Sequence, residues 1–401
     1  MNPLIWIFII LGGYLAGSIS PSYILGKILK KINIREHGKK NAGTINVYHL
    51  LGLWPAVMTA IIDLSKGILV MYIAYLLGAS PLLMYLAGFA AILGHVFPFY
   101  LRFKGGQGAA TATGILIYYL MLFYLLRWLP WESILLLAFC VFSFFLIARK
   151  GEIVGAVVLP SLAIFVIVLS PFQHYQQYQL FILSVIAYIF FINITNIRQQ
   201  KLWIAPTEKI RKEINWRLYM RPLAVLLIIN YLKTGKKETL ILIGSIVLFF
   251  LLLDLMRLFS NKINIFIFKN IKDFYKSKEY KKFSSITIFL FASFLTVLLF
   301  NKAIAVLAIS YLIFGDFFSK LFGLHFGRRK IFEKTFEGSL AHFNACLISG
   351  YIFLHVVPLP VHIYLTGAFV ASVSEMLPLG VNDNFSVALL SASSMYVFFL
   401  F

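Results

Sequence analysis

Long apolar runs alternate with short polar segments along the whole chain. They fall near 4–29, 51–77, 82–101, 109–128, 131–148, 153–170, 179–197, 216–232, 239–259, 284–300, 303–320, 338–357, 361–379 and 385–401. A bilayer core needs about 20 apolar residues per helix, so the pattern predicts an all-α polytopic integral membrane protein with about fourteen spans. Lys and Arg crowd into 30–50, 102–107, 149–152, 198–215, 260–283 and 320–337, whereas 78–81, 171–178, 358–360 and both ends carry almost none. Cationic loops stay on the cytosolic side of a membrane, which orients most of the spans. Lys233, Lys236 and Lys237 break the alternation and leave 216–259 the least constrained part of the topology. The first run closes on Gly17-Ser18-Ile19-Ser20-Pro21, with neither a basic leader nor a small-residue cleavage site, so it is expected to remain as a helix. A polar, basic stretch from Arg198 to Arg221, containing Pro206, divides the chain into expected membrane domains 1–205 and 206–401. No internal repeat relates the halves, which counts against a secondary transporter.

Composition agrees with that class. At 61% hydrophobic and 13% charged residues, with a mean hydropathy of +0.88, the apolar surface exceeds what a soluble core hides. The formal net charge of +21 raises the question of nucleic acid, but the cations sit in loops between apolar runs with no nucleic-acid-binding module around them. Anionic lipid headgroups and phosphorylated substrates are the expected partners. Cys140 and Cys346 both lie within apolar runs and read as packing residues.

The most informative segment is Leu93-Gly94-His95-Val96-Phe97-Pro98, followed by Arg102-Phe103-Lys104-Gly105-Gly106-Gln107-Gly108-Ala109-Ala110-Thr111. Glycines let backbone N–H groups converge on an anion, Arg102 and Lys104 add charge, and the next helix presents its positive end. Three other segments accompany it: Gly17 to Lys27; Ile34-Arg35-Glu36-His37-Gly38 with Asn41-Ala42-Gly43 and Asn46-Val47; and Asp63-Leu64-Ser65-Lys66-Gly67. Together they resemble the acyl-phosphate-dependent glycerol-3-phosphate acyltransferases, the PlsY family, over about residues 1–205. The resemblance implies a seven-helix bundle that moves an acyl chain from acyl phosphate to the 1-hydroxyl of glycerol 3-phosphate, giving lysophosphatidic acid without a cofactor. It implies catalytic roles for Lys104, Asn46 and His95, and substrate binding by Ser18, Arg35, Asn41, Gly43, Gly105, Gly106 and Asn196; for His95 two readings stay open, a hydrogen-bond donor and a structural histidine at a helix end. Such a reaction needs no covalent nucleophile, because acyl phosphate is already activated; it needs alignment and charge stabilisation. Asp63 and Lys66, three apart on one helix, leave two roles open, an internal ion pair that orders the bundle and a catalytic one.

Several positions depart from the family pattern. Gly-Ser-Gly-Asn reads Gly38-Lys39-Lys40-Asn41, Ala-Thr-Asn-Val-x-Arg reads Thr44-Ile45-Asn46-Val47-Tyr48-His49, and the lysine of GGKG is Gln107. The segment resembling Ser-Leu-Gly-Ser-Ile reads Arg149-Lys150-Gly151-Glu152-Ile153, and the histidine of the closing element is Asn193, ahead of Asn196-Ile197. Lys39, Lys40 and Arg149 restore positive charge, but an ammonium does not reproduce the geometry of a small hydroxyl. A diverged or inactive first half serving as a lipid-binding scaffold is therefore the alternative.

The second half carries Gly315-Asp316, Gly323, Gly327-Arg328-Arg329-Lys330, Lys334, Glu337-Gly338-Ser339-Leu340-Ala341, Glu375 and Asn382-Asp383-Asn384. Over about 285–401 this series resembles the CTP-dependent lipid kinases that act on dolichol, polyprenol, phytol or diacylglycerol, with phosphatidate cytidylyltransferases as more distant relatives. The resemblance implies Mg²⁺ and CTP as phosphoryl donor, a lipid alcohol as acceptor, and Asp316 and Asp383 as catalytic metal ligands. Arg328, Lys330 and Lys334 would neutralise the triphosphate, with Glu337 and Ser339 completing the binding set and Glu337 or Glu375 either a third metal ligand or the group that orients the lipid hydroxyl. A Ser- and Asp-rich closing signature of bacterial cytidylyltransferases is missing, so kinase is preferred. The expected whole is a multi-pass cell-membrane enzyme of phospholipid synthesis with both sites toward the cytosol. A basic stretch over 269–282 is expected to rest on the lipid surface.

Overall fold

A computed structural model describes residues 3–170, 176–203, 216–270 and 279–400. The chain divides into two compact units, one formed by 1–133 with 155–200 and the other by 134–154 with 201–401.

The first unit is built from α1 (Pro3–Ser18), α2 (Pro21–Lys30), α3 (Thr44–Leu51), α4 (Leu53–Leu76), α5 (Pro81–Val96) and α6 (Ala109–Leu125). After α7 (Glu132–Ala148), it is completed by α8 (Gly151–Leu169) and α9 (Gln176–Gln199). Helix α1 stops where Pro21 forbids continuation, and Ser20 caps α2 by accepting from the Tyr23 amide. Helices α1 and α5 are in close contact because their crossing is lined by small residues. A Cβ on Gly17 would lie 2.1 Å from the Ala91 carbonyl oxygen. In lipid the drive for helix association is van der Waals contact between close backbones, so these glycines bring the kink after Ser18 against the end of α5 that carries His95. Large side chains such as Phe8, Trp54 and Leu125 point outward and exposed, as a lipid-facing surface requires.

The second unit takes α7 and continues with α10 (Trp216–Met220), a 3-10 turn over Arg221–Ala224, α11 (Val225–Lys233), α12 (Lys236–Phe259), α13 (Asn261–Asn270) and α14 (Ser285–Leu299). Helix α15 (Lys302–Ser310) passes through a π-helical turn, Tyr311–Gly315, directly into α16 (Asp316–Phe326). A two-residue antiparallel ladder, β1 (Lys330–Ile331) with β2 (Lys334–Thr335), precedes α17 (Phe336–Leu354), α18 (Val361–Met376) and α19 (Asp383–Leu400). Near the end of α12, Asp254 and Arg257 form a fully buried ion pair at 2.9 Å. Arg257 also donates to the Glu279 carbonyl at 2.8 Å, and Asp254 accepts from the Ser284 amide and the Thr287 hydroxyl at 2.7 Å each. The pair thereby pins the loop that starts α14.

Four expectations change. Among the described residues, eight helices are long and apolar enough to cross a membrane, with Ala109–Leu125, Glu132–Ala148 and Ser285–Leu299 apolar but shorter, so fourteen such helices are not found. The 216–232 run is interrupted by the turn at Arg221-Pro222, and α17 and α18 carry buried polar residues such as His342, Asn344, Ser372 and Glu375. The fold is all-α apart from the short ladder at 330–335. Helix α7, expected in a seven-helix first bundle, packs with the second unit, for example through Phe144, whose ring centroid lies 5.0 Å from that of Phe322 with the planes tilted by 55°. Pro206 and most of the 269–282 stretch lie outside the described residues.

Candidate functional site

In the first unit, the glycine turn after α5 is closed on itself. Arg102 and Phe103 both adopt left-handed backbone conformations, φ 56° and 57°, which non-glycine residues rarely do. The reversal lets Gly105 N–H donate to the Val96 carbonyl at 2.9 Å and Gly106 N–H to the His95 carbonyl at 3.1 Å. These two amides, expected to cradle an anion, are therefore occupied by the turn's own carbonyls. Only a glycine fits at 106, since a Cβ there would stand 2.2 Å from His95 Nε2. The open donors lie just beyond. Among the described residues, the amides of Ala109, Ala110 and Thr111 begin α6 without an acceptor, the usual state of a helix start. The Thr111 hydroxyl is buried beside them with no partner.

The second loop, 31–43, is tied to this turn. Arg35 Nη1 donates to the carbonyls of Leu101 at 2.9 Å and Lys104 at 2.7 Å, and its guanidinium lies over the Tyr23 ring. Asn46 organises the loop from within. It donates to the carbonyls of Ile34 (2.9 Å), His37 (3.1 Å) and Asn41 (2.9 Å) and accepts from the Lys39 amide (2.8 Å). Ser22 fixes the next stretch by donating to the Ala42 carbonyl at 3.0 Å. Lys39, Lys40, Arg102 and Lys104 are exposed at these loops.

Below the turn, α4 supplies a buried charged group. Lys66 Nζ donates to Asp63 Oδ1 at 2.9 Å and to the Gly17 carbonyl at 3.0 Å, and lies 2.6 Å from His95 Nδ1. Asp63 Oδ1 is 3.3 Å from that same ring nitrogen. The pair read from the sequence as Asp63 and Lys66 is thus a trio with His95, joining α1, α4 and α5.

The structure brings Arg35, Lys104, Gly105, Gly106, His95 and Asn46 together around one turn and its companion loop. Ser18 faces elsewhere: its hydroxyl donates to its own helix at Tyr14, in the α1–α5 crossing. Asn41 and Gly43 sit in the loop that Asn46 and Ser22 hold. Asn196 exchanges two hydrogen bonds with Gln107, at 2.7 and 3.1 Å. Thr111 and Tyr188, whose hydroxyl donates to the Gln107 carbonyl at 2.8 Å, did not stand out in the sequence. Thr111 was visible as the last residue of the glycine segment, and only burial without a partner distinguishes it.

In the second unit, Asp316, Lys320, Arg221, Ser285, Asn382, Asp383 and Asn384 line a cavity of about 230 Å³. Asp316 opens α16, pairs with Arg221, and accepts from Lys320 at 2.7 Å. Lys334 bridges Glu375 at 2.9 Å and Asp383 at 2.6 Å. Burial alone would lower the Lys334 pKa, but the two carboxylates outweigh it and hold it above the ordinary lysine range. Ser319 donates to Glu375 as well, at 2.9 Å.

The remaining expected residues, Glu337, Arg328, Lys330 and Ser339, are not among those lining this cavity. Glu337 accepts from the amides of Arg328 (2.9 Å) and Arg329 (3.2 Å), closing the turn before α17. Arg328 donates to the Leu146 and Ile147 carbonyls at the end of α7. Lys330 is exposed on the ladder, and Ser339 is buried with its hydroxyl unpartnered. Arg221, Lys320 and Ser285 line the cavity without having been singled out; Arg221 is remote from Asp316 in sequence, so only folding reveals the pair. Among the described residues, no three His, Cys, Asp or Glu side chains gather about a point. Two carboxylates facing one cavity still match how Mg²⁺ is held, by one or two carboxylates with substrate phosphates completing the shell.

A family model described as glycerol-3-phosphate acyltransferase matches residues 7–201. A glycerol-3-phosphate acyltransferase of Shouchella clausii is 39% identical over 168 residues, 41% of this chain and 77% of that protein. One from Halalkalibacterium halodurans is 35% identical over 181 residues, 42% of this chain and 87% of the relative. Glycerol-3-phosphate acyltransferase 2 of Dehalococcoides mccartyi is 44% identical over 119 residues, 29% of this chain and 57% of its own length. Among solved structures, the glycerol 3-phosphate form of PlsY (YgiH), an integral membrane glycerol 3-phosphate acyltransferase, matches with a TM-score of 0.39 and 26% identity, covering 49% of this chain and 91% of that one. Through the segment that these relatives and the family model match, the chain belongs to the glycerol-3-phosphate acyltransferase family.

Proposed function

We propose that the first unit transfers an acyl chain from acyl phosphate to the 1-hydroxyl of glycerol 3-phosphate, as a step of membrane phospholipid synthesis. The hydroxyl oxygen bonds to the acyl carbonyl carbon, the bond from that carbon to the phosphate oxygen breaks, and the hydroxyl proton leaves with the phosphate. Lysophosphatidic acid and inorganic phosphate result. The carrying observation is the set of exposed cations, Lys104 above all, beside the orphan amides of α6 and the unpartnered Thr111, with no carboxylate paired to Lys104 among the described residues. Two dianionic substrates meet unneutralised charge there, which suits alignment and charge stabilisation. The test is label from acyl phosphate appearing in lysophosphatidate only when glycerol 3-phosphate is present. The basic loops are read as cytosolic, and accessibility of a cysteine at 105 to an impermeant reagent tests that orientation.

One observation favours the scaffold reading for this unit: Gln107 engages Asn196, which the family likeness assigns to substrate. Binding of glycerol 3-phosphate with no turnover would establish it.

For the second unit, the reading supported by Asp316, Asp383 and Lys334 at one charged cluster is CTP-dependent phosphorylation of a lipid alcohol. Asp316 and Asp383 would hold Mg²⁺, which supplies charge neutralisation of the nucleotide phosphates. Lys334, Lys320 and Arg221 would bind phosphate oxygens, exchanging their carboxylate partners for the nucleotide. Phosphorylated lipid formed from CTP, and lost in Asp316→Asn, supports this; pyrophosphate with a CDP-lipid would identify a cytidylyltransferase instead.

A further inference from the structure

We propose that Lys66 is a positioning residue that fixes His95 in the tautomer with its proton on Nε2, so that His95 presents a neutral N–H to an oxygen of the acyl phosphate at the Gly105-Gly106 turn. The proposal rests on the acyltransferase reading of the first unit and adds the donor and the device that sets it.

Three features of the geometry lead there. An ammonium has donors and no acceptor, and Lys66 Nζ lies 2.6 Å from His95 Nδ1, which must therefore accept. The neutral ring then carries its hydrogen on Nε2. Second, Nε2 forms no hydrogen bond among the described residues although His95 is 93% buried, with 7% of its surface exposed. Third, the Gly106 backbone packs directly against Nε2, where a Cβ would come within 2.2 Å, so only a glycine at 106 leaves that nitrogen uncovered by a side chain. The turn amides next to it are occupied by the Val96 and His95 carbonyls, which leaves the ring as the donor at that point.

Asp63 explains why a lysine is needed. Its Oδ1 stands 3.3 Å from Nδ1, close enough to draw the ring proton to the wrong nitrogen if nothing intervened. Lys66 Nζ faces four acceptors with three hydrogens, Asp63 Oδ1, Nδ1 and the Gly17 and Ile19 carbonyls of the α1 kink; Nδ1 at 2.6 Å is the nearest and the Ile19 carbonyl at 3.3 Å the farthest, so we assign hydrogens to Asp63, Nδ1 and Gly17. The small-residue crossing of α1 and α5 thus aims a lysine of α4 at a histidine of α5.

Replacement of His95 separates the two nitrogens. Glutamine places an amide N–H near the Nε2 position, whereas asparagine reaches only as far as Nδ1. His95→Gln should keep acyl transfer within about tenfold and His95→Asn should lose about a hundredfold or more in kcat, the scale of removing one preorganised donor. Lys66→Met should cost about a hundredfold in the wild-type background but less than about threefold in His95→Gln, because an amide has no tautomer to set. Equal losses in both backgrounds, or equal losses for glutamine and asparagine, overturn the proposal. Nitrogen-15 histidine labelling of the full chain, with the His95 signals assigned by their absence in His95→Gln, reads the tautomer directly. A protonated Nδ1 in wild type overturns the proposal as well. Wild-type protein that transfers no acyl group refutes the reading of function, while the nitrogen-15 spectrum still decides the tautomer.

Discussion

In the first unit the cations around the glycine turn donate to backbone carbonyls, as Arg35 does, or stand exposed, as Lys104 does, and Asp63, buried beneath them, is taken by Lys66. In the second unit the acids and cations neutralise one another: Asp316 with Arg221 and Lys320, Lys334 with Glu375 and Asp383. An anion can approach the first cluster without breaking an ion pair. At the second, a phosphate must displace a carboxylate from each cation it meets, and a metal must displace a cation from each carboxylate. One site is shaped to hold anions outright, and the other to exchange partners.

The sharpest way to break that contrast is to remove an acid. Asp316→Ala leaves Arg221 and Lys320 without their shared carboxylate; Arg221 is mostly buried but the Lys320 side chain is 39% exposed and rehydrates, so the loss should lie at the low end of the range for a broken buried pair, about 3 kcal/mol. Adding Arg221→Met should recover much of that loss while lipid phosphorylation stays absent. Thermal unfolding of the two variants in detergent measures both, and a small loss in Asp316→Ala would mean that the pairs are not what holds the pocket.

Of similar size is Asn46→Ala, which strips four bonds from the 34–46 loop in a single step. Leaving buried backbone groups unpaired costs about 1–3 kcal/mol each at most, and nearby water reaches some of them, so about 3 kcal/mol is expected overall. Acyl transfer should vanish and hydrogen exchange of residues 34–46 should quicken, with α5 and α6 unaffected. Lys104→Ala should behave in the opposite manner. Its side chain is exposed, with no partner among the described residues, so stability should hold while turnover falls about a hundredfold, the cost of a lost charge-stabilising contact. If Lys104→Ala unfolded the protein and Asn46→Ala did not, the division between loop-holding and ligand-holding residues would be reversed.

The sequence made some of this visible for a physical reason: local spacing. Asp63 and Lys66 are one helical turn apart, and the glycine segment is continuous, so both could be read before folding. What spacing cannot carry is which partner a charge selects across the chain. Arg328 looked like a phosphate ligand from its neighbours, yet its guanidinium meets the last carbonyls of α7, while Arg221, isolated in a basic stretch, reaches Asp316. Gly105 and Gly106 read as turning their N–H groups toward an anion, whereas in the fold those groups donate to the Val96 and His95 carbonyls, a pairing that spacing alone does not reveal. The membrane class followed from composition, whereas the number of crossings did not, because α17 and α18 hold polar side chains inside the second unit.

The smallest expected effect tests how far the first unit has moved from its relatives. Gln107 and Asn196 satisfy each other through one donor and one acceptor apiece. Lysine at 107 can donate to Asn196 Oδ1 but offers nothing for Asn196 Nδ2 to donate to. Gln107→Lys therefore releases that amide toward the site and adds a cation next to the orphan start of α6. A neutral hydrogen bond at an exposed position contributes about 0.5–1.5 kcal/mol, so KM for glycerol 3-phosphate should fall roughly threefold to tenfold with kcat within about twofold. Raised salt should shrink the gain, because an exposed ammonium is screened. An unchanged KM would place residue 107 outside the anion's reach, and the family's lysine would then act in this chain's relatives through something other than charge at that point.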